Sequence, residues 1–201
     1  ASICHGGKIY SLTRRVSKRT VDLNKIDKVN DLSRSIASKN LSVDDFKNEL
    51  NKINKVEAYP QMLIIIFSAF GAGSFSVLFG GTFKDVFAAF LIGLVIKTLT
   101  IKWSEIGINA FFINSICSGI TALLAIILFK LGIASQLNQT IIGAIMLLVP
   151  GLAITNAIRD TMSGDLLSGV IRASEAFLVA IAIAVGTGAV LSFWMTNIGG
   201  L

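Results

Sequence analysis

Residues that could bind and move a small polar molecule gather where one apolar run of this sequence ends. The run LLVPGLAITNAIRDTMSGD, residues 147–165, holds Pro150, Gly151, Thr155, Asn156, Arg159 and Asp160. On a helix, Asn156 and Asp160 are four residues apart and share a face, with Arg159 beside them. A guanidinium attracts a carboxylate, hydroxyl and amide groups hydrogen-bond polar atoms, and a carboxylate whose pKa is raised by burial can exchange a proton.

The carboxylates in and after this run are the candidates for carrying a proton: Asp160, Glu175 and Asp165. The alternative is a solvated loop with surface ion pairs, each contributing about 0–1 kcal/mol, and it fits Asp165 and Arg172 well. It fits Asn156, Asp160 and Glu175 less well, because ionisable residues that border apolar runs tend to face cavities. We therefore favour the functional interpretation for those three.

The Pro150-Gly151 pair predicts a break in a helix of membrane-spanning length. Proline removes a backbone donor and clashes with the preceding turn. Irregular backbone at membrane depth persists only inside protein or beside a water-filled cavity. Broken helices recur in transporters, where the half-helix ends direct their partial charges at substrate or ions.

The composition divides the chain into a basic polar part and a membrane part. The 201 residues are 53% hydrophobic and 15% charged, below the roughly 25% charged residues of soluble domains. Residues 1–59 carry 12 of the 18 Lys and Arg residues and 7 of the 12 Asp and Glu residues. We expect an all-α polytopic membrane protein with a small N-terminal α+β head, residues 1–58, and a transmembrane domain, residues 59–201.

Five apolar runs beyond Pro60 approach the length that a membrane-spanning helix needs, about 20 residues. They cover residues 61–81, 85–101, 106–129, 140–158 and 174–194. Lys97 interrupts the second run, where a lysine near a helix end can snorkel to the interface. With the head in the cytoplasm, the inside segments collect sixteen Lys and Arg residues and the outside loops only two. The positive-inside rule then places the C-terminus outside.

The head has the pattern of a β-hairpin followed by two helices. Strands at residues 1–4 and 8–16 flank a Gly-Gly turn, a first helix ends at Asn40, and Ser42 with Asp45 marks the start of a second. The apolar stripes of these helices predict a core of the head's own or, as the alternative, a docking face for a partner. Because the sequence lacks an initiator methionine and starts within a strand, we expect further residues upstream.

No residue set predicts a metal, a cofactor or a nucleic acid partner. Cys4 and Cys117 lie in different parts and His5 is the sole histidine, so no His/Cys ligand cluster is expected. The basic charge of the head comes without a recognition motif, and a cytoplasmic location explains it better. An intramembrane enzyme would need a catalytic set, which these residues do not provide, and no Walker loop indicates ATP-driven pumping.

Small and amide residues recur within the apolar runs. The first run holds Gly71, Gly73, Ser74, Ser76, Gly80 and Gly81, and the fifth holds Gly186 and Gly188. Close helix packing is expected there, because small residues let backbones approach in lipid. Asn114, Ser118 and Thr121 share a face of the third run, either as hydrogen-bonded contacts between helices or as pore-lining groups.

The motif around Pro150 also carries a family resemblance. LVPGLAITNAIRDTMSGDLLSG, with the following VIRASEAFL, resembles the signature of the threonine/serine exporter family, in its N-terminal five-helix half. TRRVSKRTVDLNKIDKVNDL resembles the family's basic segment and linker helix, and FGAGSFSVLFGGTF resembles its first span. The pattern falls on Pro150, Gly151, Thr155, Asn156, Arg159, Asp160, Gly164, Asp165, Gly169, Arg172 and Glu175.

This resemblance implies proton-driven secondary export of small polar metabolites, threonine or serine first, through a bacterial-type inner membrane. The alternatives are a dicarboxylate such as succinate and, from another class, a scaffold subunit that transports nothing. Some members are single chains of about ten spans, as paired repeats suggest, and others are split in two. Because the sequence ends at Leu201, we expect the split kind, with a smaller membrane partner subunit and an oligomer as a further option.

Each site residue then has a hypothetical role. Pro150 and Gly151 break the gating helix, and the freed backbone with Thr155 and Asn156 holds polar substrate groups. Asn114 is a further lining residue, and Arg159 attracts a carboxylate. Asp160 or Glu175 carries the proton, with Asp165 as a third candidate.

Overall fold

A computed structural model describes residues 2–13, 22–39, 42–55 and 59–197. The chain divides into two compact units, Ala1–Ala58 and Tyr59–Leu201. The first holds a two-stranded sheet and two helices, and the second holds six helices in its described part.

The first unit opens with the predicted β-hairpin. Strands β1 (Ser2–His5) and β2 (Lys8–Ser11) pair antiparallel, with Ser2 opposite Ser11. Gly6 and Gly7 have φ of 57° and 74°, which suits glycine because it has no Cβ to clash in this region. The second strand ends at Ser11, earlier than expected, and the rest of the predicted stretch to Val16 falls largely outside the described residues.

Two amphipathic helices follow, α1 (Leu23–Lys39) and α2 (Val43–Lys55). The predicted helix start is confirmed, since the Asp45 backbone N–H donates to the Ser42 hydroxyl at 3.2 Å. The predicted end at Asn40 lies outside the described residues. The expectation of an internal core is met only at Leu32, which is 9% exposed, whereas Val43 is 83% exposed. Within this unit's described part, the apolar stripes are largely uncovered.

The second unit contains helices α3 (Gln61–Leu78), α4 (Phe83–Ile106), α5 (Ala110–Lys130), α6 (Leu137–Ile145), α7 (Gly151–Met162) and α8 (Leu166–Asn197). Among the described residues, four are long and apolar enough to cross a membrane: α3, α4, α5 and α8. They correspond to the first, second, third and fifth predicted spans.

The fourth predicted span, residues 140–158, is not one helix. It is divided between α6, of nine residues, and α7, of twelve, which at 1.5 Å per residue reach only about 14 and 18 Å. Pro150 separates them with φ −82° and ψ 60°, because a proline cannot donate to the preceding turn. The expected break is present, and neither α6 nor α7 alone is long enough to cross a membrane.

Helix boundaries also differ from the apolar runs. Helix α4 continues past Ile101 to Ile106 and ends at Gly107, whose φ is 85°. Helix α5 begins at Ala110 rather than Ile106, because the Asn109 side chain accepts the Phe111 backbone N–H at 2.8 Å and caps the helix. The last helix begins at Leu166 and runs for 32 residues, so it extends beyond the predicted lipid-length run 174–194 at both ends.

Small residues set how closely these helices pack. A Cβ added at Gly186 of α8 would overlap the Ser115 backbone oxygen of α5, and one at Gly73 of α3 would lie 3.2 Å from Val86 of α4. The prediction of close packing is therefore confirmed at these positions. It is wrong at Gly80 and Gly188, where an added Cβ would meet nothing within 4 Å.

Candidate functional site

The break between α6 and α7 is the centre of the candidate site. After Ile145 the backbone closes a tight turn, in which Leu148 N–H donates to the Ile145 oxygen at 2.8 Å and Gly151 N–H donates to the Val149 oxygen at 2.9 Å. Leu148 is buried, so the turn is anchored by a side chain while its backbone leaves the helical path. Helix α7 then starts anew at Gly151.

Helices α7 and α8 form a tight helical hairpin after this break. Its turn passes through Gly164, whose φ of 86° favours glycine. Ala157 and Gly169 are buried at the contact, and a Cβ at Gly169 would lie 3.1 Å from the Ala157 oxygen. Because the two backbones approach this closely, polar side chains on either side of the contact can meet.

An ion pair between Asp160 and Arg172 joins the two helices of this hairpin. Arg172 Nε lies 2.8 Å from Asp160 Oδ2, and the two side chains are 48% and 25% exposed. The sequence predicted Arg159 as the basic neighbour of Asp160, and it assigned Arg172 to a solvated surface. Arg159 is exposed, and the cation that contacts Asp160 comes from α8.

A cavity of about 670 Å³ lies beside the break, and both Pro150 and Glu175 line it. Its other walls come from the start of α5, including Asn109, and from Ala153 and Val179. Two site residues predicted from separate parts of the motif, Pro150 and Glu175, are therefore brought together. The cavity is mostly apolar, with Glu175 as its ionisable group.

The remaining predicted residues have other positions. Thr155 Oγ1 donates to the Gly151 oxygen at 3.0 Å, so this hydroxyl satisfies a backbone acceptor of its own helix. Asn156 is half-buried and Asp165 is exposed. Asn114 lines a second cavity, of about 430 Å³, with Lys97 and Leu147. The structure thus places the predicted set around two cavities and one ion pair rather than in one cluster.

Comparisons with known proteins show the family to which this chain belongs. The chain matches the family model described as "Putative threonine/serine exporter" over residues 1–194. It belongs to the threonine/serine exporter family. A probable threonine/serine exporter of Mycobacterium tuberculosis (strain ATCC 25618 / H37Rv) is 25% identical over 178 residues, which are 88% of this chain and 33% of that protein. The chain thus spans about a third of the length of this curated relative. No solved structure matches the chain.

Membership of the threonine/serine exporter family confirms the resemblance noted in the sequence. With several helices of spanning length, it makes this chain a multi-pass membrane protein. The family is one of membrane exporters, so the intramembrane enzyme is set aside. In the part of the chain that the structure describes, no three His, Cys, Asp or Glu residues are grouped to hold a metal ion.

Sequence reasoning missed a buried carboxylate in this exporter-family chain, Asp85 near the start of α4. It is fully buried and accepts the backbone N–H groups of Ser135 and Gln136, both at 2.7 Å, and that of Thr82 at 2.8 Å. Thr140 of α6 lies 3.3 Å from it. Asp85 therefore ties α4 to the segment that begins α6. The donors at Ser135 and Gln136 are about fifty positions away, and only the Thr-x-x-Asp capping spacing could have indicated this residue.

Proposed function

We propose that this chain forms part of a secondary exporter that moves threonine or serine outward in exchange for protons. The observation that carries the proposal is the helix break at Pro150, which opens beside a cavity that Glu175 also lines. Family membership supplies the transport class. In membranes, interrupted helices of this kind surround substrate and ion sites, because the half-helix ends offer unpaired backbone groups and partial charges.

Substrate binding is proposed to use the N-terminal end of α7 and its polar face. The first N–H groups of α7 carry the positive end of the helix dipole, which attracts an oxygen of the substrate such as its hydroxyl. Arg159 is exposed on the same helix and attracts the substrate at the entrance. Asn156 and the lone pairs of the Thr155 hydroxyl accept or donate hydrogen bonds to polar substrate groups.

Proton coupling is proposed to act on the contact between α7 and α8. Protonation of Asp160 would remove the negative charge that holds Arg172 at 2.8 Å, so α7 could shift relative to α8. Glu175 is the second candidate carrier, because it lines the cavity next to Pro150. Asp165 is third, since it is exposed at the hairpin turn.

The proposed topology counts α6 and α7 together as a fifth crossing. The first unit then lies in the cytoplasm and the C-terminus lies outside, as the distribution of Lys and Arg favours. A second membrane part would complete the exporter, and in the split arrangement it is a separate, smaller subunit in the same bacterial-type inner membrane. Support comes from the relative, in which the matched region is 33% of the whole.

The decisive experiment is efflux of labelled threonine, serine and succinate from preloaded cells. The chain is expressed in its full-length context, alone and together with a small membrane protein encoded nearby. We expect efflux of threonine or serine in the co-expressing cells, abolished by a protonophore. Efflux of succinate alone would identify the substrate as a dicarboxylate instead of threonine or serine. Absence of all three, with both proteins present in the membrane, would refute the exporter.

A scaffold that transports nothing is the competing function from another class. Asp160→Asn and Glu175→Gln distinguish it from the exporter, because a scaffold has no proton path for these changes to interrupt. Unchanged, fully proton-coupled efflux in both variants would favour the scaffold, and Asp27→Asn serves as the control, because Asp27 is an exposed carboxylate outside the candidate site. We expect at least one of the two variants to lose coupling while its membrane level stays the same.

A further inference from the structure

Lys97 is a charged residue deep in a membrane-length helix. It lies nine residues before Ile106, where α4 ends, which is about 14 Å along the helix axis. Lys102 is five residues nearer to that end and exposed, so it is the lysine positioned to snorkel. In the predicted span 85–101, Lys97 was close enough to the end to snorkel to the interface. Because α4 continues to Ile106, snorkelling from a helix end no longer explains Lys97.

The Lys97 ammonium has no hydrogen-bond or ion-pair partner among the residues that the structure describes. A lysine within the hydrocarbon region is costly and normally faces a cavity or pairs with another group. Lys97 is half-buried and lines the cavity of about 430 Å³ between α4, α5 and the turn before Pro150. Glu105 also lines this cavity but lies beyond ion-pair distance of Lys97, so a group that enters the cavity can neutralise the ammonium.

The lining of this cavity is suited to a small zwitterion or hydroxy acid. Thr100 and Ser104 of α4 and Asn114 of α5 add hydroxyl and amide groups. The Thr100 hydroxyl donates to the Lys97 backbone oxygen at 2.9 Å, so its lone pairs remain to accept from a ligand ammonium or hydroxyl. A volume of this size is within the range of small-molecule sites.

We infer that Lys97 binds the carboxylate of the exported molecule in this cavity, which is distinct from the cavity that Glu175 lines. The inference rests on the proposed function, since it assigns a binding position to that substrate. Leu147 and Leu148 wall the cavity and belong to the turn that interrupts the helix. A rearrangement of the break therefore opens or closes the carboxylate site directly.

The test compares ligands with and without a carboxylate. The full chain, with its membrane partner, is placed in phosphatidylcholine nanodiscs, and labelled threonine is displaced by threonine or by threoninamide, whose carboxylate is replaced by an amide. We expect the wild type to prefer threonine by roughly ten- to hundredfold. Lys97→Gln should lose this preference, Lys97→Arg should keep most of it, and Lys102→Gln should keep all of it. Melting temperatures confirm that each variant is folded.

The outcomes separate this inference from the proposed export. Efflux in cells combined with an unchanged carboxylate preference in Lys97→Gln keeps the exporter and overturns the role of Lys97. Lys97-dependent binding without any efflux keeps the site and overturns the exporter. Loss of the wild-type carboxylate preference when phosphatidylglycerol is added assigns the ammonium to a lipid phosphate and overturns the inference. Absence of wild-type binding to threonine, serine and succinate overturns both.

Discussion

Arg172 of α8 holds Asp160 of α7 at 2.8 Å, across the hairpin that follows the helix break. Because both side chains are partly exposed, the pair contributes only about 0–1 kcal/mol to stability, and its single variants should fold. We expect Asp160→Asn and Arg172→Gln to lose proton-coupled efflux while their melting temperatures stay within a few degrees of the wild type.

The exchanged pair, Asp160→Arg with Arg172→Asp, provides the sharper comparison. It restores attraction between the helices but moves the carboxylate from α7 to α8. We expect hairpin packing to recover and proton coupling to remain lost. Full proton-coupled efflux in Asp160→Asn would contradict the assignment, and Asp27→Asn is the control because that carboxylate is exposed and lies outside the candidate site.

Asp85 should be the most sensitive carboxylate for folding. The Asp85 carboxylate accepts three backbone N–H groups at 2.7–2.8 Å. Asparagine would replace one of the two acceptor oxygens by an N–H₂ group, so that the backbone N–H groups bound to that oxygen would lose their acceptor. Leaving buried donors unsatisfied costs about 1–3 kcal/mol each. We expect Asp85→Asn to unfold at clearly lower denaturant in detergent, measured by circular dichroism. Glu105→Gln is the control, since Glu105 is exposed; an equal loss there would contradict the special role of Asp85.

Gly186 and Gly188 form a matched pair for testing helix packing in α8. A Cβ at Gly186 would overlap the Ser115 oxygen, whereas one at Gly188 would meet nothing within 4 Å. Because overpacking costs typically 1–3 kcal/mol, we expect Gly186→Ala to lower the melting temperature in detergent and Gly188→Ala to leave it unchanged. The same small effect for both would show that α5 and α8 do not approach as closely as described.

Pro150 and Pro60 offer the same kind of comparison for the helix break. Pro150 has a ψ of 60° between α6 and α7, and Pro60 precedes α3. Alanine restores a backbone donor and favours helix, so Pro150→Ala should extend α7 toward α6 and slow efflux. Hydrogen exchange of residues 146–152 should slow with it. Pro60→Ala should change neither the efflux rate nor this hydrogen exchange. Efflux at the wild-type rate in Pro150→Ala would mean that transport does not need the break.

The sequence was sufficient to predict the four spanning helices, because their apolar runs have the required length and no competing structure satisfies the backbone in lipid. It also predicted the break, since Pro150 cannot donate to the turn before it. The apolar run 174–194 covers only the lipid-length part of α8, which begins at Leu166 and carries Arg172 ahead of that run. Hydropathy marks where a helix meets lipid rather than where it begins.

The candidate site was only partly predictable. Spacing arguments compare residues along one helix, so they paired Asp160 with Arg159. The actual partner, Arg172, approaches through a hairpin whose geometry depends on the Gly164 turn and the close contact at Gly169. For the same reason the role of Asp85 was not predicted. Its donors at Ser135 and Gln136 become neighbours only when α4 packs against the segment that begins α6.

The uninterrupted length of α8 gives it the properties of a lever. Arg172 lies near its beginning, and near its other end the Trp194 ring lies 4.1 Å from the ammonium of Lys130 in α5. The two positions are about 33 Å apart along the axis. At that separation, a tilt of about 10° moves one end by about 6 Å relative to the other. Loss of the ion pair at Asp160 can therefore displace Trp194, which lies at a distance comparable to the thickness of a bilayer.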